Sequence, residues 1–487
     1  MEEKKEFGWA RSKFWPIHNH ELKKFIPMFA IFFCISFIYS VLRNVKDIFI
    51  MSKAASESIT LVKILVVLPA AFIFTAIYNS VSNRLKRDQL FNLTVIFFLS
   101  FFAFFLFFLA PNLENLKPTA FANSMRLKWP TLEGAWAAIE NWPVVLFYMM
   151  SELWGTFALS VLFWTFANKI TNLKQAKRFY SFLMIGANIG LFAAGLTTSY
   201  FKESAMSTIF FVLLAGITLL VVHILFVRAI DSDPESYQLR EEAPKKKKVK
   251  LSLSESLSVL VRSKYLGLIT LLVLSYGVTI NLAEAVWKNE LKIYSKLPGL
   301  GEKFLSETYS KQNFITAIAT IFMVVFLSSS VAERGWRFTA LVTPVASLFL
   351  SSMFFIALLF GEDMSGIFSF MSITPIYLAI MLGLAQVSFI KAAKYAFFDP
   401  TKERAYLPLD DELKTKGKAA VDGIGGRLGK SLGAVIVQAF VISGDGTISS
   451  AKQYFAPIIG ATFIIWILAA ITLSREFTAL TSSSEEN

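Results

Sequence analysis

Cysteine and histidine are almost missing from this chain, and their scarcity closes off whole classes of chemistry. The single cysteine, Cys34, lies inside an apolar run, so no disulfide framework exists. Three histidines (His18, His20 and His223) beside one cysteine do not build a metal site, and His18-x-His20 reads as a solvated loop. Charge is scarce as well: 17% of the 487 residues are Asp, Glu, Lys or Arg, against about 25% in a soluble domain. The N-terminus is charged and has no short apolar stretch with a small-residue cleavage site, so no signal peptide is expected. A complete phosphate-binding loop is missing too. Residues 421–431, VDGIGGRLGKS, place glycines at 423, 425, 426 and 429 ahead of Lys430. Walker A requires G-x-x-x-x-G-K-[ST] after a buried strand. Counting back from Gly429, the required glycine falls on Ile424, and the polar TKERAYLPLDDELKTKGKAA before it is no strand. The glycines read better as small residues that let membrane helices pack closely.

Apolar residues are what the chain has in excess: 55% of it, with 49 Phe. Runs such as FNLTVIFFLSFFAFFLFFLA exceed the roughly 18 residues that mark a membrane span. The fold class expected is an all-α integral membrane protein with about twelve transmembrane helices in two six-helix bundles. Residues 1–23 form a polar, aromatic-rich lead suited to the membrane interface. Spans are expected at 24–42, 59–81, 91–110, 143–167, 179–200 and 207–228, which make a first bundle over 24–228. A basic linker, 229–264, carries KKKK and an amphipathic surface helix at 251–264. The second bundle, 265–473, has spans at 265–288, 314–331, 338–360, 372–397, 421–442 and 456–473, and a polar tail covers 474–487.

The net charge of +13 reads as cytoplasmic-loop lysine rather than as a nucleic-acid surface. NRLKRD, NKITNLKQAKR, the KKKK linker, AERGWR and KERAY…KTKGK all follow even-numbered spans, so both termini are expected in the cytoplasm, at a bacterial inner membrane. SNRLKRD after span two and AERGWR after span eight occupy the same place in each half. That is a habit of major-facilitator transporters, whose halves are parallel repeats.

Four charges sit where an apolar run should exclude them: Lys63 in ITLVKILVVLPAAFIF, Glu152 in PVVLFYMMSELWGTF, Glu284 in VTINLAEAVWK, and Lys430. A charge facing lipid at mid-bilayer costs upward of about 2.5–3.5 kcal/mol, so these are expected to face the bundle interior, a wet path, or one another. They serve as structural staples or as the lining of a central anion cavity. Lys288 lies one turn beyond Glu284, where an i,i+4 bridge explains it. Arg43 and Lys46 fall at the outer end of span one, where snorkelling to the interface competes with a site role. Asn188, between glycines in FLMIGANIGLFAAG, is a candidate to bond a base edge or a neighbouring helix. Trp154, Phe163 and Trp164 read as packing before ring-stacking.

Taken together, LRNVKDIFIM, KILVVLP, SELWGTFALSVLFWTFANKIT, AKRFYSFLMIGAN, YGVTINLAEAVWK and KYAFFDPTKERAYLPLDDELKTKGKAAVDGIGGRLGKS resemble the ATP/ADP translocase (nucleotide transporter) family of plastids and obligate intracellular bacteria. They run in order over almost the whole chain. The resemblance implies a twelve-helix, major-facilitator-like carrier moving nucleotides by counter-exchange or with protons, and its intramembrane charges fall on Lys63, Glu152, Glu284 and Lys430. Two departures are visible: LGKSLG puts Leu432 at a small-residue position, and FDPTKER adds Arg404. The function expected is an antiporter exchanging external ATP for internal ADP and phosphate, as a monomer, with no cofactor and no enzymatic step. Lys63 and Lys430 would hold phosphate as point charges and pair with Glu152 and Glu284 when the site is empty. Its rivals are a proton-coupled nucleotide importer, and a membrane-bound ATPase using GRLGKS.

Overall fold

The computed structural model describes residues 17–82, 84–233, 263–363, 373–409, 417, 421 and 426–485. The lead before residue 17 and most of the linker, 234–262, with the surface helix expected there, lie outside the described residues. So do most of the residues just ahead of Gly426.

Every long apolar run becomes a helix, because a helix satisfies all its backbone groups internally where no water can. Among the described residues, eleven helices are long and apolar enough to cross a membrane: α1 (Asn19–Lys53), α2 (Ser58–Ser82), α3 (Arg87–Asn112), α4 (Trp142–Ile170), α5 (Arg178–Tyr200), α6 (Ala205–Ser232), α7 (Lys264–Ser295), α8 (Gly301–Leu327), α9 (Trp336–Phe360), α10 (Pro375–Ala405) and α12 (Ile448–Thr481). Between the last two lies α11 (Gly426–Ser443), whose apolar part, Ser431–Ser443, is shorter. No strand occurs among the described residues. The starts are marked locally. Ser263 Oγ accepts the Leu266 N–H at 3.3 Å ahead of α7, and Thr374 Oγ1 accepts from Tyr377 before a helix that opens on Pro375. Large side chains such as Phe108, Leu214, Phe349 and Leu468 stay exposed on the outer surface, as a lipid-facing wall requires.

The two halves repeat one packing scheme. In the first, α1 packs on α4, α5 and α6; in the second, α7 packs on α10, α11 and α12. This makes α1 and α7 the central pair. Helices alternate in direction, so the chain ends share one face of the molecule (the termini face) and the loops after odd-numbered helices lie on the other (the far face).

Among the described residues, polar contacts between the halves sit from the middle to the far face. Ser310 Oγ donates to the Gly195 carbonyl at 2.8 Å, and Lys202 pairs with Glu307 at 2.7 Å. Gln438 Nε2 donates to the Glu57 carbonyl at 3.0 Å. Glu57 Oε1 accepts the backbone N–H of Ile448, at the start of α12, also at 3.0 Å. The far face is therefore shut by side-chain and backbone bonds.

Three π-helical turns border the middle of the molecule: Lys63–Val67 in α2, Gly155–Leu162 in α4 and Lys394–Phe398 in α10. Each inserts residues into the regular repeat and re-aims the side chains beyond it. In α4 and α10 the turn begins three residues after a charge, Glu152 in one and Lys391 in the other.

Candidate functional site

The site starts from the length of α1. The apolar count ends this helix at residue 42, just before Arg43, but the helix runs on to Lys53. Arg43, Lys46 and Asp47 therefore lie inside the span and not at its outer end, since the apolar IFIM at 48–51 follows them and is fully buried. Lys46 is 4% and Asp47 2% exposed. A helix can carry such charges through an apolar layer when they meet partners there.

They do. Lys46 Nζ lies 2.9 Å from its neighbour Asp47 and 3.0 Å from Glu152 on α4. The other oxygen of Asp47 receives Lys288 of α7 at 2.8 Å. Lys288 also reaches Glu284, one turn back on its own helix, at 3.9 Å. Glu284 in turn pairs with Lys391 of α10 and approaches Arg43 at 3.8 Å. A continuous ladder of opposite charges thus crosses the molecule from α4 through α1 and α7 to α10. The Lys46 ammonium also stands 4.0 Å from the centre of the Tyr148 ring, a cation–π contact.

The ladder forms the wall of a cavity of about 330 Å³, within the roughly 300–1,000 Å³ usual for small-molecule sites. It extends from the charged layer toward the termini face, past Tyr39, Ala71, Thr156 and Tyr395. Arg43, Lys46, Lys63, Lys288, Lys391 and Lys394 line it, against Asp47, Glu152 and Glu284. Lys394 is held by Asp399 at 2.6 Å. An apolar-walled space with this surplus of cations favours an anion.

Of the candidates read from the sequence, Lys63, Glu152, Glu284, Arg43, Lys46 and Lys288 come together here. The pairing differs from the one expected. Lys63 reaches Asn281 Oδ1 at 3.5 Å and makes no ion pair among the described residues, because Lys46 and Lys391 already occupy the two glutamates. Lys288, read first as an i,i+4 partner of Glu284, is closer to Asp47. Lys430 stands in the first turns of α11, but its side chain lies outside the described residues. One residue later the helix lines the cavity through Ser431. Asn188 is not brought to the cavity: its Nδ2 donates to the Met184 carbonyl of its own helix at 2.9 Å. Trp154 is fully buried, and Phe163 stacks on Phe32 with centroids 4.0 Å apart, so these rings pack the first half.

Of the glycine-rich stretch, Gly426 and Gly429 lie in α11, and Gly429 faces α7. A side chain at Gly429 would come within 3.2 Å of the α7 backbone at Leu274, and one at Gly433 within 2.8 Å of Asn281 Cβ. Leu432, the departure at a small-residue position, is 43% exposed.

Sequence reasoning passed over Asp47, Asn281, Lys391 and Lys394. A signal for the lysines was present in SFIKAAKYAFF, two cations three residues apart inside an apolar run. Both fall inside the expected span at 372–397, so the rule that found Lys63 finds them too.

The arrangement can be set beside known proteins. A family model described as TLC ATP/ADP transporter matches residues 1–477. The chain is 38% identical over 500 residues to ADP,ATP carrier protein 1 of Chlamydia muridarum, covering 99% of this chain and 94% of that protein. It is 35% identical to ADP,ATP carrier protein 1 of Rickettsia prowazekii, over 98% and 97% of the two chains. With the plastidic ATP/ADP-transporter of Solanum tuberosum it shares 37% identity, over 96% of this chain and 75% of that protein. Among solved structures, a D-xylose-proton symporter superposes with a TM-score of 0.54 at 11% identity, over 93% and 97% of the chains. A bacterial homologue of the iron transporter ferroportin, in an inward-facing state, gives 0.53 at 12%, over 94% and 100%. At such identities the likeness is one of fold, the major-facilitator-like arrangement of two helical bundles.

Proposed function

The chain belongs to the TLC ATP/ADP transporter family, and on that premise we propose that it is an antiporter exchanging external ATP for internal ADP and phosphate. One observation carries the reading: a membrane-embedded cavity in which six cations face three carboxylates, each carboxylate already in an ion pair. The surplus positive charge suits a polyphosphate. Lys63, which makes no ion pair among the described residues, is the initial phosphate contact, with Lys430 as the second phosphate-holding lysine. As phosphate oxygens arrive they take lysines away from Glu152 and Glu284.

The same ladder explains why exchange is coupled. A buried ion stripped of its partner costs about 3–5 kcal/mol, so the empty cavity cannot easily pull its cross-half pairs apart. With nucleotide bound, the cations keep an anionic partner while the halves rock about the central pair α1 and α7, giving alternating access. The loops rich in Lys and Arg support a cytoplasmic termini face, at a bacterial inner membrane. Each half supplies part of one cavity, so a single chain suffices as a monomer. Nothing in the exchange requires covalent chemistry or a cofactor.

The test is uptake of radiolabelled ATP by cells expressing the chain, with unlabelled nucleotides as competitors. ATP and ADP are expected to compete strongly, and CTP, GTP and NAD weakly. Stronger competition by one of the latter would replace the substrate. Measurable ATP hydrolysis without transport would replace the class of function.

A further inference from the structure

A second cavity, of about 410 Å³, lies on the far face, outside the bonds that shut it. Both signs of charge line it, but they are not equally engaged. Arg126 Nε lies 2.9 Å from Glu133, and its Nη2 2.6 Å from Glu140. Glu57 accepts the Ile448 N–H at 3.0 Å and the Ser56 hydroxyl at 3.1 Å. The acids of the cavity are thus occupied. Its lysines hold no carboxylate: Lys53, Lys292 and Lys296 make no ion pair among the described residues, and Lys292 donates only to the Ala54 carbonyl there. Glu114, on the far side of Lys53, is held by Lys117 at 2.7 Å.

The register of α7 links this cavity to the central one. Glu284, Lys288, Lys292 and, at the C-cap, Lys296 recur every fourth residue, so they follow a slowly turning stripe along α7 in steps of about 6 Å. The first two line the central cavity and the last two the outer one. Between them Ser56 Oγ donates to Asn289 Oδ1 at 2.9 Å. Ser56 borders both the outer cavity and a narrow gap beside Lys63 and Lys288. Lysines near helix C-termini also complement the helix dipole. That accounts for each one singly, but not for three converging on one cavity whose acids are all engaged.

We propose that Lys53, Lys292 and Lys296 form a second anion site, a capture vestibule for phosphate groups on the far face. It takes the phosphates of a nucleotide or inorganic phosphate, held weakly by ammonium point charges and strongly screened by salt. As a station on the way to the central cavity it rests on the exchange reading. As an anion site it stands on the lysines themselves.

The experiment compares the full-length parent with Lys53→Gln/Lys296→Gln in proteoliposomes of known orientation, with ATP presented at either face. The double variant is expected to raise KM at the far face about tenfold, with the saturating rate and the KM at the termini face held. The difference should shrink as ionic strength rises from about 0.01 to 0.15 M. An unchanged far-face KM, or an equal rise at both faces, overturns the vestibule. So does a lowered melting temperature with an unchanged far-face KM, which marks lysines that only complement helix dipoles. Inorganic phosphate added at the far face separates the two sources: competition in the parent and not in the variant assigns free phosphate to the site. Its failure to compete while ATP still distinguishes parent from variant assigns the site to nucleotide. If the parent does not exchange, calorimetry with ATP decides. Loss of a weak, salt-sensitive binding phase in the variant upholds the site, and identical isotherms overturn it.

Discussion

The two halves of the molecule place opposite charges at matching positions. In the first, a cation on α1 meets an anion on α4, Lys46 with Glu152; in the second, an anion on α7 meets a cation on α10, Glu284 with Lys391. Asp47 and Lys288 join the two sets across the middle. The halves are alike in packing and inverted in sign, so the charged layer is attractive across their contact. They also differ in depth. Glu284 is 16% exposed and meets Lys391, Lys288 and Arg43, whereas Glu152 is 34% exposed and meets a lysine that Asp47 also holds. By burial, Glu284 is the more enclosed of the two glutamates.

The harshest way to break this comparison is to cut the rung between the halves. Asp47→Asn leaves Lys46 and Lys288 buried without their shared carboxylate, at a cost of about 3–5 kcal/mol. The expected outcome is a collapsed melting temperature and no exchange in liposomes. A melting temperature near the parent's would show that the halves are not pinned there. Lys63→Ala comes next and acts differently, because Lys63 holds no ion pair among the described residues. Exchange should fall about a hundredfold, near 2.7 kcal/mol, with thermal stability unchanged; a variant that exchanges like the parent removes Lys63 from the site.

The glutamates sharpen the comparison. Opposite charges about 4 Å apart are worth roughly 4 kcal/mol at an effective dielectric near 20, and even a quarter of that changes a release rate several-fold. Glu→Gln removes the competitor that frees lysine from phosphate, so ADP affinity by calorimetry should hold or improve while exchange slows. The loss should be greater for Glu284→Gln than for Glu152→Gln. Equal losses would erase the asymmetry, and weakened binding with a lowered melting temperature in both would make them staples. The smallest effect is expected at the far-face closure. Gln438→Ala removes the bonds to Glu57 and Thr60, about 0.5–1.5 kcal/mol each, and should raise labelling of a cysteine introduced at Asn289 by a membrane-impermeant reagent. Unchanged labelling would exclude Gln438 from that closure.

Much of this architecture is legible in the chain because hydropathy and loop charge are local quantities. The break at KKKK and the repeated Arg loops announce two bundles before any helix is placed. Lys63, Glu152 and Glu284 stand out because apolar neighbours leave them no other explanation. What stays hidden is partnership. Asp47 reads as the end of a span, since nothing local says that Lys288, 241 residues on, will meet it. Asn188 sits among glycines that allow any facing, and the helix turns it to its own backbone. Lys63 and the two glutamates share one cavity, yet among the described residues Lys46 and Lys391 hold the glutamates, because that competition depends on which helices touch.

The central claim is that empty reorientation is forbidden by the ladder. Purified protein in liposomes, given labelled ATP outside and loaded with ADP, ATP or buffer, tests it directly. The account predicts uptake with internal ADP or ATP and almost none with buffer alone. Equal uptake into empty liposomes, abolished by a protonophore, would contradict it and make the chain a proton-coupled importer.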